Sequence, residues 1–215
     1  NAEGTLESDA AWQTSSAGAP AATGLPVERP HADTRGFRGA KTQSRIGRQA
    51  TKALRKLCDE EGATLFTVVL SGLAALLRRM GSGDDLVIGT PVAGRERPEV
   101  QGLVGYFLNT LALRLNLAGA STFRELIAEA KEVTREAFAE SRAPYDKVLK
   151  SVCPHHDLTG TGLFQVMLIL QNVPEVPLDL AGVLVRRLDL HGSGAKFDLT
   201  FELTEHPNGI GVALE

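Results

Sequence analysis

The sequence predicts an α/β protein, an α+β layered arrangement in which a mixed β-sheet is covered by helices. Three observations carry that expectation. Segments of helical and strand periodicity interleave as strand, helix, helix, strand, the order that lays helices on a sheet. The helix expected over residues 65–80 is apolar nearly all round, so it must be buried on most of its faces. Residues 86–88 (Leu-Val-Ile) form a continuous apolar run, and Leu111, Leu113, Leu115 and Leu117 alternate with other residues, as core strands do.

Residues 1–40 read as an extended strap or linker. Ala, Gly, Ser, Thr and Pro dominate, Trp12, Leu25 and Phe37 are isolated apolar anchors, and Pro26 and Pro30 favour an extended path. The folded unit is expected over 41–215, beginning with a short strand at 41–46. Over 49–61, Ala50, Ala53, Leu54, Leu57 and Cys58 recur at helical spacing, and Gly62 supplies the stop. Thr64 caps the 65–80 helix, which Gly81-Ser82-Gly83 ends before the strand at Leu86. Thr122 and Glu125 form a capping box for a helix reaching about Arg142, with Phe123, Leu126, Ile127, Ala130, Val133, Ala137 and Phe138 on one stripe. Pro144 opens a short helix through Val152, which Pro154 closes. Strands follow at 164–171, 184–190, 197–204 and 210–214. The last reaches the terminus with no closing element, so the chain is expected to be truncated there relative to a longer protein.

Composition narrows the function classes. A length of 215 residues with 43% hydrophobic and 23% charged residues suits a soluble globular core. A net charge of -3 without a basic run speaks against nucleic acid as the main partner. The apolar run at 65–77 is broken by Thr67, Ser71 and Gly72 and is too short for a bilayer. No signal peptide is visible, and Cys58 and Cys153 read as free thiols without zinc-ligand spacing. A cytoplasmic location is expected, with no metal and no membrane.

The functional-looking stretch is 86–117. Between its two core strands lies a loop carrying Gly89, Pro91, Gly94, Pro98, Gly102 and Gly105, residues of special backbone geometry. It holds Arg95, with Arg97 and Glu99 nearby. Gly102 and Gly105 are expected to serve a tight turn rather than to bind phosphate. His155-His156-Asp157 has no third ligand at useful spacing and reads as a solvated loop. Asp84-Asp85 and Glu96/Glu99 read as ordinary turn and surface carboxylates. Asp198, between Phe197 and Leu199 in a strand, needs a partner, and either anchors structure through a hydrogen bond or lines a cavity. No GxSxG elbow, Walker loop or strand-to-helix GxGxxG is present, so spacing alone yields no complete catalytic set.

The run IGTPVAGRERPEVQGLVGYFLNTLALR (88–114) resembles the downstream signature of condensation domains of nonribosomal peptide synthetases. Further matches come in the family's order: GAP and LPVERP within 18–30, EGATLFTVVLSGLAALLRRMGSGDDLVIG (61–89), AFAESRAPYDKV (137–148), LFQVMLILQN (163–172) and KFDLTFELTE (196–205). There are departures. Ser141-Arg142-Ala143 stands where the family has His-Gln before a Pro-aromatic step. His156-Asp157-Leu158-Thr159, followed by Gly160 and Gly162, replaces an Arg-Asp-x-Ser pattern.

The resemblance implies two lobes of chloramphenicol acetyltransferase-like fold facing each other in a V, with a tunnel between them. Two phosphopantetheine arms, carried by peptidyl and aminoacyl carrier proteins, enter it from opposite sides, and an amine attacks an acyl thioester to form an amide. The family's catalytic histidine lies in an HHxxxDG motif of the first lobe, which this sequence lacks. The chain therefore resembles the C-terminal lobe, in a bacterial pathway of antibiotic or other secondary-metabolite synthesis. It is expected to bind no cofactor directly and to pair with an N-terminal lobe of the same domain. Arg95, Tyr106, Phe107, Asn109 and Asp198 would face the tunnel, Arg95 either pairing with an acid or holding the loop. Gly89, Pro91, Gly94 and Gly105 would shape the loop. An isolated lobe is expected to expose apolar surface and self-associate. The alternative is a non-catalytic condensation-like module that recruits a carrier protein or a tailoring enzyme.

Overall fold

The computed structural model describes residues 24–25, 38–95, 97–152, 162–172, 180, 182–185 and 194–215. Its elements run β1 (Thr42–Gly47), α1 (Arg48–Glu61), α2 (Leu65–Arg79), β2 (Asp85–Val92), α3 (Pro98–Gln101), β3 (Asn109–Asn116), α4 (Phe123–Ala139), α5 (Tyr145–Val152), β4 (Val166–Gln171), β5 (Leu199–His206) and β6 (Gly209–Leu214). The strands form one mixed sheet in the order β1-β6-β5-β4-β2-β3. The β4–β5 and β2–β4 pairs are parallel, and the others antiparallel. The α/β expectation therefore holds, with a mixed sheet carrying helices.

Local chemistry sets the boundaries. Gly62 ends α1 at φ 53°, a left-handed turn that favours glycine. The Thr64 hydroxyl accepts the Thr67 N–H at 3.1 Å to start α2. At α4 the capping box closes both ways: the Thr122 hydroxyl accepts the Glu125 N–H at 3.2 Å, and the Glu125 carboxylate accepts the Thr122 and Ser121 N–H groups at 2.8 Å each. Those bonds hold the Glu125 carboxyl below its ordinary value of 4.5.

Strand register divides the sheet into two faces. Leu86, Ile88, Leu111, Leu113, Leu115, Val166, Leu168, Leu203 and Ile210 point to one face and are all buried. Against this face pack α2 (Leu70, Leu73, Ala74 and Leu77 buried) and α4 (Leu126, Ala130 and Ala137 buried), while Val68 of α2 and Ile127 of α4 are buried with Cys58 of α1 in a second cluster. Each fully buried leucine contributes about 1.5–3 kcal/mol relative to exposure. The opposite face is apolar at the β2–β3–β4 end, where Val87, Ala112 and Met167 are buried, and polar at the β5–β6–β1 end.

Some expected details differ. On α1, Ala50 and Ala53 are exposed and Thr51 is buried, donating to the Gly47 carbonyl at 3.1 Å. The buried stripe on α4 is shorter than the sequence spacing implied, because Phe123 and Phe138 near its two ends are exposed. The 164–171 strand begins at Val166, and the 197–204 strand at Leu199, so Asp198 precedes β5 instead of sitting within it. Of the strand expected at 184–190, Leu184 and Val185 are described and are not in a strand, while 186–190 lie outside the described residues. So do most of the 1–40 strap, Cys153, Glu96 and the His155-His156-Asp157 loop. Cys58 is a buried free thiol whose pKa burial raises first, with Asp59 adding to it. Among the described residues no helix is long and apolar enough to cross a membrane, and no cluster of three metal-ligating side chains occurs.

Candidate functional site

Four stretches far apart in sequence meet at one end of the β2–β3–β4 part of the sheet. The loop between β2 and β3 is folded around a single guanidinium. Arg95 donates through one terminal nitrogen to the carbonyls of Val100 (2.6 Å), Gln101 (3.4 Å) and Leu103 (2.9 Å), and through the other to Gly105 (3.2 Å). Its guanidinium carbon also lies 4.4 Å from the centre of the Phe107 ring, a cation–π contact. An arginine suits this task because its donors sit in a rigid fork. Of the two roles the sequence left open, the geometry gives Arg95 the holding of the loop. Gly94 sits at φ 63°, with its open side filled by the Phe107 carbonyl, so a side chain there would overlap the backbone. Gly105 lies against the Phe107 ring edge, 3.2 Å from where a Cβ would stand.

This clamp holds a set of apolar side chains out in solvent. Val104 is fully exposed, Tyr106 is 86% exposed, and Leu103 and Leu108 are about half exposed. Phe107 alone turns back, half-buried under Arg95. Pro91 falls past the end of the β4 ladder, where β2 has a strand neighbour on one side only, a position that tolerates a missing N–H.

Asn109, the first residue of β3, fastens the turn between α4 and α5. Its amide nitrogen donates to the carbonyls of Ser141 (2.8 Å) and Ala143 (2.7 Å), while its oxygen accepts the Tyr145 N–H at 3.2 Å. Every polar valence of the side chain toward that turn is used on backbone. This explains why the departure at Ser141-Arg142-Ala143 leaves the turn intact: the clamp reads carbonyls, not side chains.

Tyr145 carries the connection onward. Its hydroxyl accepts the Leu163 N–H at 3.1 Å, and its ring lies 5.6 Å from that of Phe164. Phe164 stacks on Phe197 at 5.4 Å and fills the open side of Gly89, where any side chain would overlap its ring. Gly162 is at φ 69°, and a Cβ there would stand 2.7 Å from the Tyr145 hydroxyl. Asp198, half-buried, donates its backbone N–H to the Gln165 carbonyl at 3.0 Å, joining the approach to β5 to that of β4.

The expected site residues thus fall into two groups. Tyr106 stands on the exposed ridge, whereas Arg95, Phe107, Asn109, Gly89 and Gly94 build its support. Asp198 stands next to Phe197 just before β5, its backbone bonded to Gln165 beside Phe164. Sequence reasoning missed Tyr145, Phe164 and Phe197 as the joints between these pieces. Of the expected turn and surface carboxylates, Asp84 is an exposed bend residue paired with Arg78 at 2.6 Å, whereas Asp85 departs from the expectation by opening β2 in a fork with Arg114 at 2.8 and 2.9 Å. That fork raises the Arg114 pKa. Glu99 pairs with Arg97 at 3.4 Å on the surface. No complete acid–base or nucleophile set occurs among the described residues of this region.

The family model described as Condensation domain matches residues 2–215. Malpinin synthetase of Mortierella alpina is 39% identical over 204 residues, covering 95% of this chain and 3% of that protein. A linear gramicidin synthase polypeptide of Brevibacillus parabrevis is 37% identical over 207 residues, covering 95% and 4%. The chain therefore spans a small fraction of these relatives' length. The X-domain from teicoplanin biosynthesis matches with a TM-score of 0.90 at 26% identity, over 98% of this chain and 48% of that one. In the complex of the X-domain and OxyB from the same biosynthesis the TM-score is 0.87 at 26% identity, over 97% and 46%. The chain belongs to the condensation-domain family of nonribosomal peptide synthetases, with the size and motif order of a C-terminal lobe.

Proposed function

We propose that this chain is the half of an amide-forming condensation domain that shapes one wall of the acyl-transfer tunnel and offers docking surface to carrier proteins. The observation that carries the reading is the Arg95-clamped ridge. Its apolar side chains are held in solvent by a loop whose carbonyls are already satisfied, as a surface prepared for a partner would be. In the reaction, the amine nitrogen of a carrier-bound aminoacyl group attacks the carbonyl carbon of an acyl thioester. The C–N bond forms, the C–S bond breaks, and the amine proton leaves as the thiol is released. Such chemistry needs the two chains held in near-attack geometry and a base near the amine. In this reading the lobe supplies the first. Tyr106 and its neighbours would line the tunnel, with Phe107 and Asn109 fixing their backbone, and Asp198 would belong to the wall beyond Phe164. The base comes from the other lobe, since the sequence has no HHxxxDG.

The test is Tyr106→Ala in the whole condensation domain, read as amide product by intact-protein mass spectrometry. Because Tyr106 is exposed, the fold should be unchanged while kcat/KM falls by roughly tenfold, the scale of one lost aromatic contact. An unchanged rate would remove the ridge from the reaction.

A second reading is favoured by the likeness to the X-domain, whose solved complex is with OxyB. Here the chain would be half of a recruiting module without chemistry of its own. The adjoining lobe of the parent protein decides: an intact HHxxxDG there supports the enzyme, a degraded one the module.

A further inference from the structure

The polar end of the sheet's other face holds a trough of about 420 Å³ that the acyl-transfer reading does not use. Its shape follows from register. Across three neighbouring strands, Arg45 of β1, Gly211 of β6 and Thr204 of β5 stand in one row, and Gln43, Ala213 and Glu202 in the next. The middle strand carries only glycine and alanine on this face, so it forms a floor between two taller walls. The imidazole of His206 leans over that floor: a Cβ at Gly211 would stand 3.1 Å from its Nε2. Arg45 and Thr204 therefore flank Gly211 from opposite sides and line the trough together with the His206 imidazole.

The charges in the trough are unevenly spent. Glu202 is engaged by Lys41 at 3.3 Å and by the Gln171 amide at 3.4 Å, which neutralises its end of the trough. Arg45, by contrast, is exposed and has no ion-pair partner among the described residues. The Arg45 end thus presents a guanidinium fork, a hydroxyl and an imidazole nitrogen, while Glu202, the carboxylate among the lining residues, stands in the next row and is paired with Lys41.

We propose that the trough above Gly211 binds a phosphate group, held by Arg45 on one wall and by Thr204 and His206 on the other. A guanidinium on one wall faces a hydroxyl and an imidazole on the other, and phosphate, with more charge and more acceptor oxygens than a carboxylate, gains more from such a set. A side chain at 211 would press on the His206 ring, so the glycine leaves room for that imidazole on the trough floor. The site rests on this end of the sheet alone and is independent of any role for Tyr106 or the Arg95 loop.

The test uses the 215-residue chain, isotopically labelled, and titrates inorganic phosphate at constant ionic strength while following the backbone signals of Thr204, His206 and Gly211. A parallel titration uses acetate, and both are repeated on Arg45→Ala and Thr204→Val. Arg45 is exposed on an edge strand, so its loss should leave the fold intact, and the remaining spectrum reports that directly. Saturable shifts confined to this patch are expected with phosphate, weakened about tenfold or more in Arg45→Ala, as a lost charge-assisted contact requires. Thr204→Val should weaken binding less, and acetate should bind at least several-fold more weakly than phosphate. The proposal is overturned if phosphate shifts do not saturate, if acetate matches phosphate, or if Arg45→Ala binds as well as the parent.

Discussion

The Asn109 side chain and the Tyr145 backbone are joined at 3.2 Å across 36 residues, and the same amide spans the turn by donating to Ser141 and Ala143. One carboxamide thereby couples the entry of β3 to the start of α5. From there the Tyr145 hydroxyl reaches Leu163 and its ring reaches Phe164. The ridge of Tyr106 and the approach to β4 are therefore parts of one connected body.

Asn109→Asp tests that coupling. A carboxylate can still accept the Tyr145 N–H but has no donors for the two carbonyls, and it adds charge beside them. A loss of about 2–3 kcal/mol is expected from urea unfolding, with faster amide exchange at Tyr145. An exchange rate at Tyr145 equal to that of the parent would show that the turn is held by something else.

Gly89→Ala puts a methyl group where the Phe164 ring lies. The ring must shift off Phe197 and Tyr145, and a cost of about 1–3 kcal/mol is expected. In the double variant with Phe164→Ala the two costs should fall short of their sum, since the methyl then occupies space the ring has left. Strict additivity in the thermodynamic cycle would contradict the packing described.

Arg95→Lys keeps the charge and loses the fork. A lysine cannot donate to four carbonyls around one plane or stack flat on Phe107. Hydrogen exchange over residues 97–107 should accelerate by an order of magnitude or more, while the core amides of β2 and β3 stay protected. Uniform loss of protection through the sheet would mean that the loop and core unfold together.

The α4 capping box gives stability a pH dependence of known sign. The Glu125 carboxyl titrates below 4.5 in the folded chain, chiefly because the Thr122 and Ser121 N–H groups donate to its charged form. Its contribution is therefore fully present above the unfolded value and is lost as pH falls through the lower folded value. Glu125→Gln keeps an acceptor but no titration. Measured by urea unfolding, the stability gap between parent and variant should shrink as pH is lowered from neutrality through that range. A gap that widens on acidification would reverse the assignment.

Much of the fold was readable because it is local. Helix ends at Gly62, Thr64 and Thr122 are set by residues within four positions, and core strands at 86–88 and 111–117 by their own periodicity. The site was readable only in part. Asn109 and Gly89 gave no sign of their partners, because a carboxamide bonding to backbone at positions 141–145, or a glycine yielding to a ring at 164, leaves no spacing pattern. The Asp85–Arg114 fork and the trough above Gly211 depend on strand register, which the sequence does not state. Ala50 and Ala53 misled for a related reason: small residues at helical spacing mark a face without saying whether anything covers it.

In the proposed reading this lobe positions the two thioesters and the base comes from the other lobe. The direct measurement is intact-protein mass spectrometry of two carrier proteins loaded with an acyl and an aminoacyl thioester. They are incubated with this chain alone, and separately with the whole condensation domain containing it. No amide-linked product above background is expected from the chain alone, and product is expected from the whole domain. Product formed at comparable rate by the chain alone would contradict the account.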